Sequence, residues 1–531
     1  MLRRAAGKIP HVCVVGAGVA GLRCADVLLE HGVKVTILEG RDRIGGRLCQ
    51  SDALGHTVDL GPNWVHGTVQ NPILELAKQT DTVTMNWDGR QSVFDCSGKQ
   101  MPGKEAVENT EHVWTIIEQA MKMSNEQSAS IPPGKSLYDY FEEQVKVMFP
   151  CATEQVDDDQ APRRQKTILQ MAEMWGAFVG SPIQRQSLKF FWLEECIDGE
   201  NLFVAGTYKK VLAKIAEPAL HATTRLGQRV KRIVSNQQGD DPKVTVQIEG
   251  QEDEIFDEVV MTAPLGWLKR NQDAFVPELP QRLQEGISSI SYGHLDKVYI
   301  NFQSAFWNEP PSSSTTVPST AHDMDKPNVT ATTAPLHQPA PTNSSEPSVN
   351  PNHHPGFTHW ISPSYAVSTN PSHWHQEAVN LAALPQSTAH PTILFYTFGP
   401  TSLHIAQLLA SNPPETHHDL LTAFFHPYYS RLPNYSADNP AHQPRKILAT
   451  AWANDELAGY GSYSNFQVGL QRGDEDIQVM RRGMPERGVW FAGEHTAPFV
   501  ALGTVTGAYW AGEGVARRIA EAYGLRETKV G

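Results

Sequence analysis

Residues 12–47 constrain the fold more tightly than any other stretch of the chain. An apolar run from Val12 to Val15 breaks into Gly16, Gly18 and Gly21, an amphipathic segment follows to His31, and a second apolar run, Val33 to Leu38, ends at Glu39. This is the pattern of a strand, a tight glycine turn, a helix and a second strand. The glycines let the backbone approach a pyrophosphate, and the helix N-terminus offers unpaired N–H groups and a positive dipole end. The carboxylate closing the second strand reaches ribose hydroxyls. The segment is therefore expected to open a Rossmann-like α/β domain and to hold the ADP half of a dinucleotide.

The same glycines and acid serve nicotinamide and flavin dinucleotides alike. The run that follows, Arg41, Arg43 and Arg47 around Gly45-Gly46, adds cationic side chains suited to a diphosphate held inside the protein.

Composition narrows the partners. The 531 residues carry a formal net charge of −14 at pH 7. That balance argues against nucleic acid, whose phosphates need basic patches, and favours small cations. The six cysteines show no CxxC spacing and the histidines are irregularly placed, so neither a metal site nor a disulfide framework is expected. No apolar stretch approaches the ~20 residues of a membrane span. The basic start runs directly into the first strand without a secretory h-region, and the last residues match no peroxisomal or ER-retention signal. These features together predict a cytoplasmic protein; its oligomeric state is not readable.

Along the chain, residues 104–150 and 165–176 carry helical spacing. Residues 222–264 read as strands, as do Lys297-Val-Tyr-Ile-Asn-Phe and Thr392-Ile-Leu-Phe-Tyr-Thr-Phe. Residues 310–355 are rich in Pro, Ser, Thr, Asn and His, with no aromatic residue, and are expected to be a disordered surface insertion whose histidines, 322, 337, 353 and 354, belong to a solvated linker. Near the C-terminus, Trp490-Phe-Ala-Gly-Glu-His-Thr and the glycine-rich stretch after Gly503 read as a strand and a helix start, which presents a second set of N–H groups to a ligand.

Taken with Val58-Asp-Leu-Gly-Pro-Asn-Trp-Val-His-Gly, Gln228-Arg-Val-Lys-Arg-Ile, Met261-Thr-Ala-Pro-Leu-Gly, Tyr292-Gly-His-Leu-Asp-Lys-Val and Gly461-Ser-Tyr-Ser, these segments resemble the FAD-dependent amine oxidase family. Within it, they are most similar to the polyamine oxidases and the related lysine-specific histone demethylases. The resemblance implies an FAD-binding domain (8–85, 200–290, 445–525) intertwined with an α+β substrate-binding domain (86–199, 291–444). It implies that Ala20, Glu39, Arg41, Arg47, Asn63, Trp64 and the backbone at Val230 contact FAD, with Glu494, Thr504 and Val505 at the ribityl chain and flavin ring. Lys297 matches the lysine that holds a water against flavin N5. His66 matches a histidine of the animal and yeast enzymes, and Tyr463 one aromatic wall of the amine site. The opposite wall, often aromatic, falls on Thr504. Glu195, in the acidic group with Glu194 and Asp198, is the candidate partner of a distal ammonium.

The implied reaction oxidises a secondary amine of spermine, spermidine or an acetylated form by hydride transfer to FAD. Reoxidation by O2 gives hydrogen peroxide, an aldehyde and a shorter amine. Cys196 is the last cysteine, so the flavin is expected to be non-covalent. The residues leave open another amine, a methylated histone lysine, or flavin binding without turnover.

Overall fold

The computed structural model describes residues 8–150, 160–236, 243–309, 349–350 and 352–526. Five strands form a parallel sheet in the order Val489–Phe491, Glu258–Met261, His11–Val15, Lys34–Leu38 and Thr223–Arg225. Strands covered on both faces read as near-continuous apolar runs, as Val12 to Val15 does, and as Val33 to Leu38 does apart from Lys34, exposed at the strand's start, and Thr36. The helix Val19–Glu30 follows the first strand, and the helix Val505–Ala522 lies on it, so that Leu22, Ala25 and Leu28 share one core with Ala511, Val515 and Ile519. The approach is close. A Cβ at Gly512 would lie 2.1 Å from the Ala20 carbonyl oxygen.

Beside this sheet, Glu254–Phe256, Lys243–Ile248 and Val230–Asn236 pair antiparallel, and Phe275–Val276 adds a parallel edge. A six-stranded sheet runs in the order Lys446–Ala449, Leu295–Asn301, Thr392–Phe398, Gln376–Asn380, Phe357–Trp360 and Gln91–Phe94. Lys446–Ala449, just past the boundary drawn at 445, forms one of its edges by pairing with Leu295–Asn301. Register sets Lys297 opposite Tyr396, Tyr396 opposite Glu377, and Glu377 opposite His359. Directly opposed residues share a face, so these four form a row across the sheet. Their neighbours Val298, Phe395, Ala378 and Trp360 point the other way, into a core completed by Phe424, Phe425 and Tyr428 of the helix His417–Tyr429.

Two expectations change. The helical stretch 104–150 is two helices, Gly103–Gln127 and Leu137–Met148. Pro132 and Pro133 between them lack N–H donors, and Ser136 with Asp139 forms a capping box that starts the second helix. The expected insertion at 310–355 lies outside the described residues over 310–348 and at 351. Its far end is structured: Val349 is buried, and His354 is buried with Nε2 hydrogen-bonded to Thr358 Oγ1 at 3.0 Å. His354 is a core residue and does not belong to a solvated linker. Among the described residues no helix is long and apolar enough to cross a membrane.

The helix contact generates a paired test on one element. Gly512→Ala forces a methyl group into the Ala20 backbone and is expected to destabilise the protein by about 1–3 kcal/mol. Gly514→Ala, whose Cβ meets no protein atom within 4 Å, is expected to be neutral or to stabilise by about 0.5–1 kcal/mol. Urea unfolding of the two variants beside the parent checks the pair, and shifts of the same sign and size would refute the close-packing account.

Candidate active site

A cavity of about 600 Å³ runs from the glycine turn to the six-stranded sheet. Gly16, with φ +107°, and Gly18 line its first end. A Cβ at Gly16 would lie 2.5 Å from Thr262 Oγ1, whereas one at Gly18 would meet no protein atom within 4 Å and would occupy cavity space. Gly21 sits behind the turn, where a Cβ would reach 2.0 Å from the Gly16 carbonyl oxygen. Ala20, Arg41 and Val230 also line this end. Glu39 lines it too, accepting from the backbone N–H groups of Ala17 at 2.7 Å and Arg41 at 2.8 Å; each oxygen keeps a second lone pair for a ligand. The Arg41 guanidinium is paired with Asp455 at 2.9 Å.

Midway, Arg47 donates to the Ser462 carbonyl at 2.6 Å and to Glu494 Oε1 at 3.1 Å. Burial opposes the Glu494 charge, but Arg47, with hydrogen bonds from Ser464, overcomes it and holds the carboxyl below its ordinary pKa. Thr504 and Val505 present the N-terminus of the helix Val505–Ala522 to the cavity. The Thr504 hydroxyl is the helix cap, accepting from Gly507 N at 2.9 Å and donating to the Ala501 carbonyl at 2.8 Å.

At the far end Lys297, 4% exposed, donates from Nζ to the carbonyl oxygens of Asp59, at 3.1 Å, and Gly61. Burial pulls its pKa below the usual lysine value, against the opposing pull of the Asp59 carboxyl. Asn63 Oδ1 accepts from Tyr396 Oη at 2.8 Å, and Trp64 stacks on Phe357 with centroids 6.2 Å apart. His66 is half-buried in the wall, and burial lowers its pKa to about 4 despite a hydrogen bond with Asn201, so the ring is neutral at neutral pH. Tyr463 is anchored by its hydroxyl donating to the Phe178 carbonyl, and its ring lies against Gly503.

Glu195 is the expected site residue that the structure places elsewhere. The short helix Phe191–Glu194 ends just before it and the backbone turns extended, so its side chain is exposed and faces Asn125 at 3.5 Å. Glu194 lines the cavity instead. Burial pushes its pKa up to about 8 against hydrogen bonds from Gln186 and the Phe466 backbone, and Oε1 has no hydrogen-bond partner. Glu377, not singled out in the sequence, also lines the cavity, with its pKa pushed up to about 8 by burial. In the sequence it stands in Gln376-Glu-Ala-Val-Asn, a strand of mixed character with no pattern that marks the carboxylate as buried.

The cavity thus joins a glycine-lined turn at one end to a buried pocket holding a lysine, a neutral histidine and two carboxyl groups. A family model for flavin-containing amine oxidoreductases matches residues 19–340 and 364–520. The chain is 30% identical over 313 residues to polyamine oxidase 3 of Oryza sativa subsp. japonica, covering 56% of this chain and 60% of that protein. It is 24% identical over 530 residues to the corticosteroid-binding protein of Candida albicans, covering 95% and 94%. A solved double mutant of putrescine oxidase shares the fold, with TM-score 0.63, 17% identity and coverage of 96% of this chain and 99% of that one. The chain spans less than two thirds of the length of the polyamine oxidases it matches. Glycine cradle, cavity and matched residues together place this chain in the flavin-containing amine oxidoreductase family.

Proposed function

We propose that the chain holds FAD non-covalently along this cavity and oxidises a secondary amine of a linear polyamine. The observation that carries the reading is the continuity of one cavity from the Gly16–Gly18 turn to Lys297, His66 and Glu194. The residues suit an FAD: open space at Gly18, free lone pairs on Glu39 and two helix N-termini facing the cavity favour its diphosphate and ribose. When bound, the flavin supplies a hydride acceptor that O2 regenerates, giving hydrogen peroxide beside an aldehyde and a shorter amine.

The protein's own contribution is to the amine. An alkylammonium has a pKa of ~10.4, so freeing its lone pair near neutrality costs about 4–5 kcal/mol. The apolar walls around Trp64, Phe178 and Tyr463 disfavour the charged form and supply part of that. His66, neutral above about pH 4, presents an unprotonated ring nitrogen that accepts a hydrogen bond while the amine's proton passes to solvent. Glu194 faces the second ammonium, and Lys297 positions water at the reacting end through donors it now gives to the Asp59 and Gly61 carbonyls.

Three measurements test this. The purified protein should be yellow, release intact FAD on denaturation, and convert spermine or acetylated spermine to an aldehyde and a shorter amine with one peroxide per turnover. Oxidation of only a primary monoamine or an amino acid would overturn the substrate assignment. Corticosteroid binding, the property named in the Candida albicans relative, with no amine turnover would overturn the enzymatic one. Lys297→Met should keep FAD while slowing flavin reduction or reoxidation at least tenfold, about 1.4 kcal/mol in a barrier; rapid-mixing traces matching the parent in both half-reactions would remove Lys297 from the mechanism.

The third concerns pH. Below about pH 8 the unliganded Glu194 carboxyl is protonated, and above it the carboxylate is available to an ammonium. Polyamine affinity should therefore rise as pH increases through about 8, a rise absent in Glu194→Gln and retained in Glu195→Gln. Identical KM profiles for the two variants would count against Glu194.

A further inference from the structure

We infer that His359, His375 and Glu377 form a site for a divalent transition metal, with zinc the ion their donors suit. His375-Gln-Glu places two ligand-bearing side chains at alternate positions, and the antiparallel register sets His359 directly opposite Glu377. His359 and Glu377 come from neighbouring strands onto one side of the sheet, and His375 lies just before the second of them. All are buried, at 2%, 6% and 4% exposure for His359, His375 and Glu377.

The spacing decides the chemistry. His359 Nδ1 lies 3.3 Å from His375 Nε2 and 3.5 Å from Glu377 Oε2. Hydrogen bonds between such groups cluster near 2.7–3.0 Å, so these contacts are long. They fit the edges of a tetrahedron around zinc, about 3.3–3.4 Å for bonds of 2.0–2.1 Å. One donor atom from each of the three residues lies within 4.8 Å of the others. The remaining edge closes by turning the Glu377 carboxylate, whose Oε2 has no hydrogen-bond partner to lose. An unpaired Glu377 oxygen beside two imidazole nitrogens is a set of acceptors that a cation among them would satisfy.

Two imidazoles and one carboxylate favour zinc, copper, iron or nickel over the oxygen-seeking magnesium and calcium. Three protein ligands leave a fourth position. Glu377 lines both the large cavity and a smaller pocket beside it walled by Trp87, Asn86 and His359, so the metal has an approach from that side. The outer nitrogens, His359 Nε2 and His375 Nδ1, have no hydrogen-bond partner. A metal-bound imidazole usually has one, and its lack weakens binding by about 10–100-fold. The site is therefore expected to exchange its metal rather than lock it.

Flavin-loaded protein stripped with EDTA and dialysed against micromolar zinc chloride should retain one zinc per chain by mass spectrometry. X-ray absorption should show two imidazole nitrogens and oxygen at about 2.0–2.1 Å. His359→Ala and Glu377→Gln should each lower retention at least tenfold with circular dichroism unchanged. Absence of stoichiometric zinc in the parent, or equal retention by a folded variant, would overturn the assignment. If a variant fails to fold, the absorption spectrum of the parent decides: sulfur ligation or no imidazole scattering overturns it.

Discussion

A strand has two ways to face its side chains. The register of Leu295–Asn301 against Thr392–Phe398 selects the one that turns Lys297 and Tyr396 to the cavity and Val298 and Phe395 to the core behind. A slip by one residue would exchange the two sets, placing a lysine and a tyrosine among Phe424, Phe425 and Tyr428. The apolar side therefore fixes the polar side. Gln376–Asn380 and Phe357–Trp360 inherit the same phase, which is why Glu377 and His359 continue the row that starts at Lys297.

The other half of the cavity depends on backbone approach and buried charge. Val19–Glu30 and Val505–Ala522 pack at Ala20 and Gly512 at a separation only glycine permits, and both helices direct their N-termini toward the same space. Arg47 and Glu494 join the segment after the second parallel strand to the one after the last. Removing either partner would leave a charge in a site that is largely out of water, the case in which a buried pair costs about 3–5 kcal/mol to break. The cavity's two ends are thus held by different physics, packing alternation at one and close approach with ion pairing at the other.

The strand, turn, helix and acid of residues 12–39 were legible because each signal is local: periodicity, glycine and a terminal carboxylate lie within one supersecondary unit. So were the strands at 297 and 392 and the C-terminal helix. Glu194 and Glu195 were not separable, because adjacent residues in an irregular turn carry no periodicity to say which faces inward. Glu377, His359 and His375 gave no motif at all, since their proximity comes from pairing between strands whose register no single segment encodes. His354 was hidden by its surroundings: composition averaged over 310–355 cannot mark where the chain rejoins the core.

Thr504 carries one hydroxyl and two duties. It borders the cavity, and it is also the cap on which the final helix begins. An aromatic residue there would narrow the pocket and strip the cap, at about 1 kcal/mol of helix stability. The same helix supplies the N–H groups that face the cavity, so pocket width and anion affinity are tied to one side chain. A narrower cavity at this point therefore requires another start for the last helix.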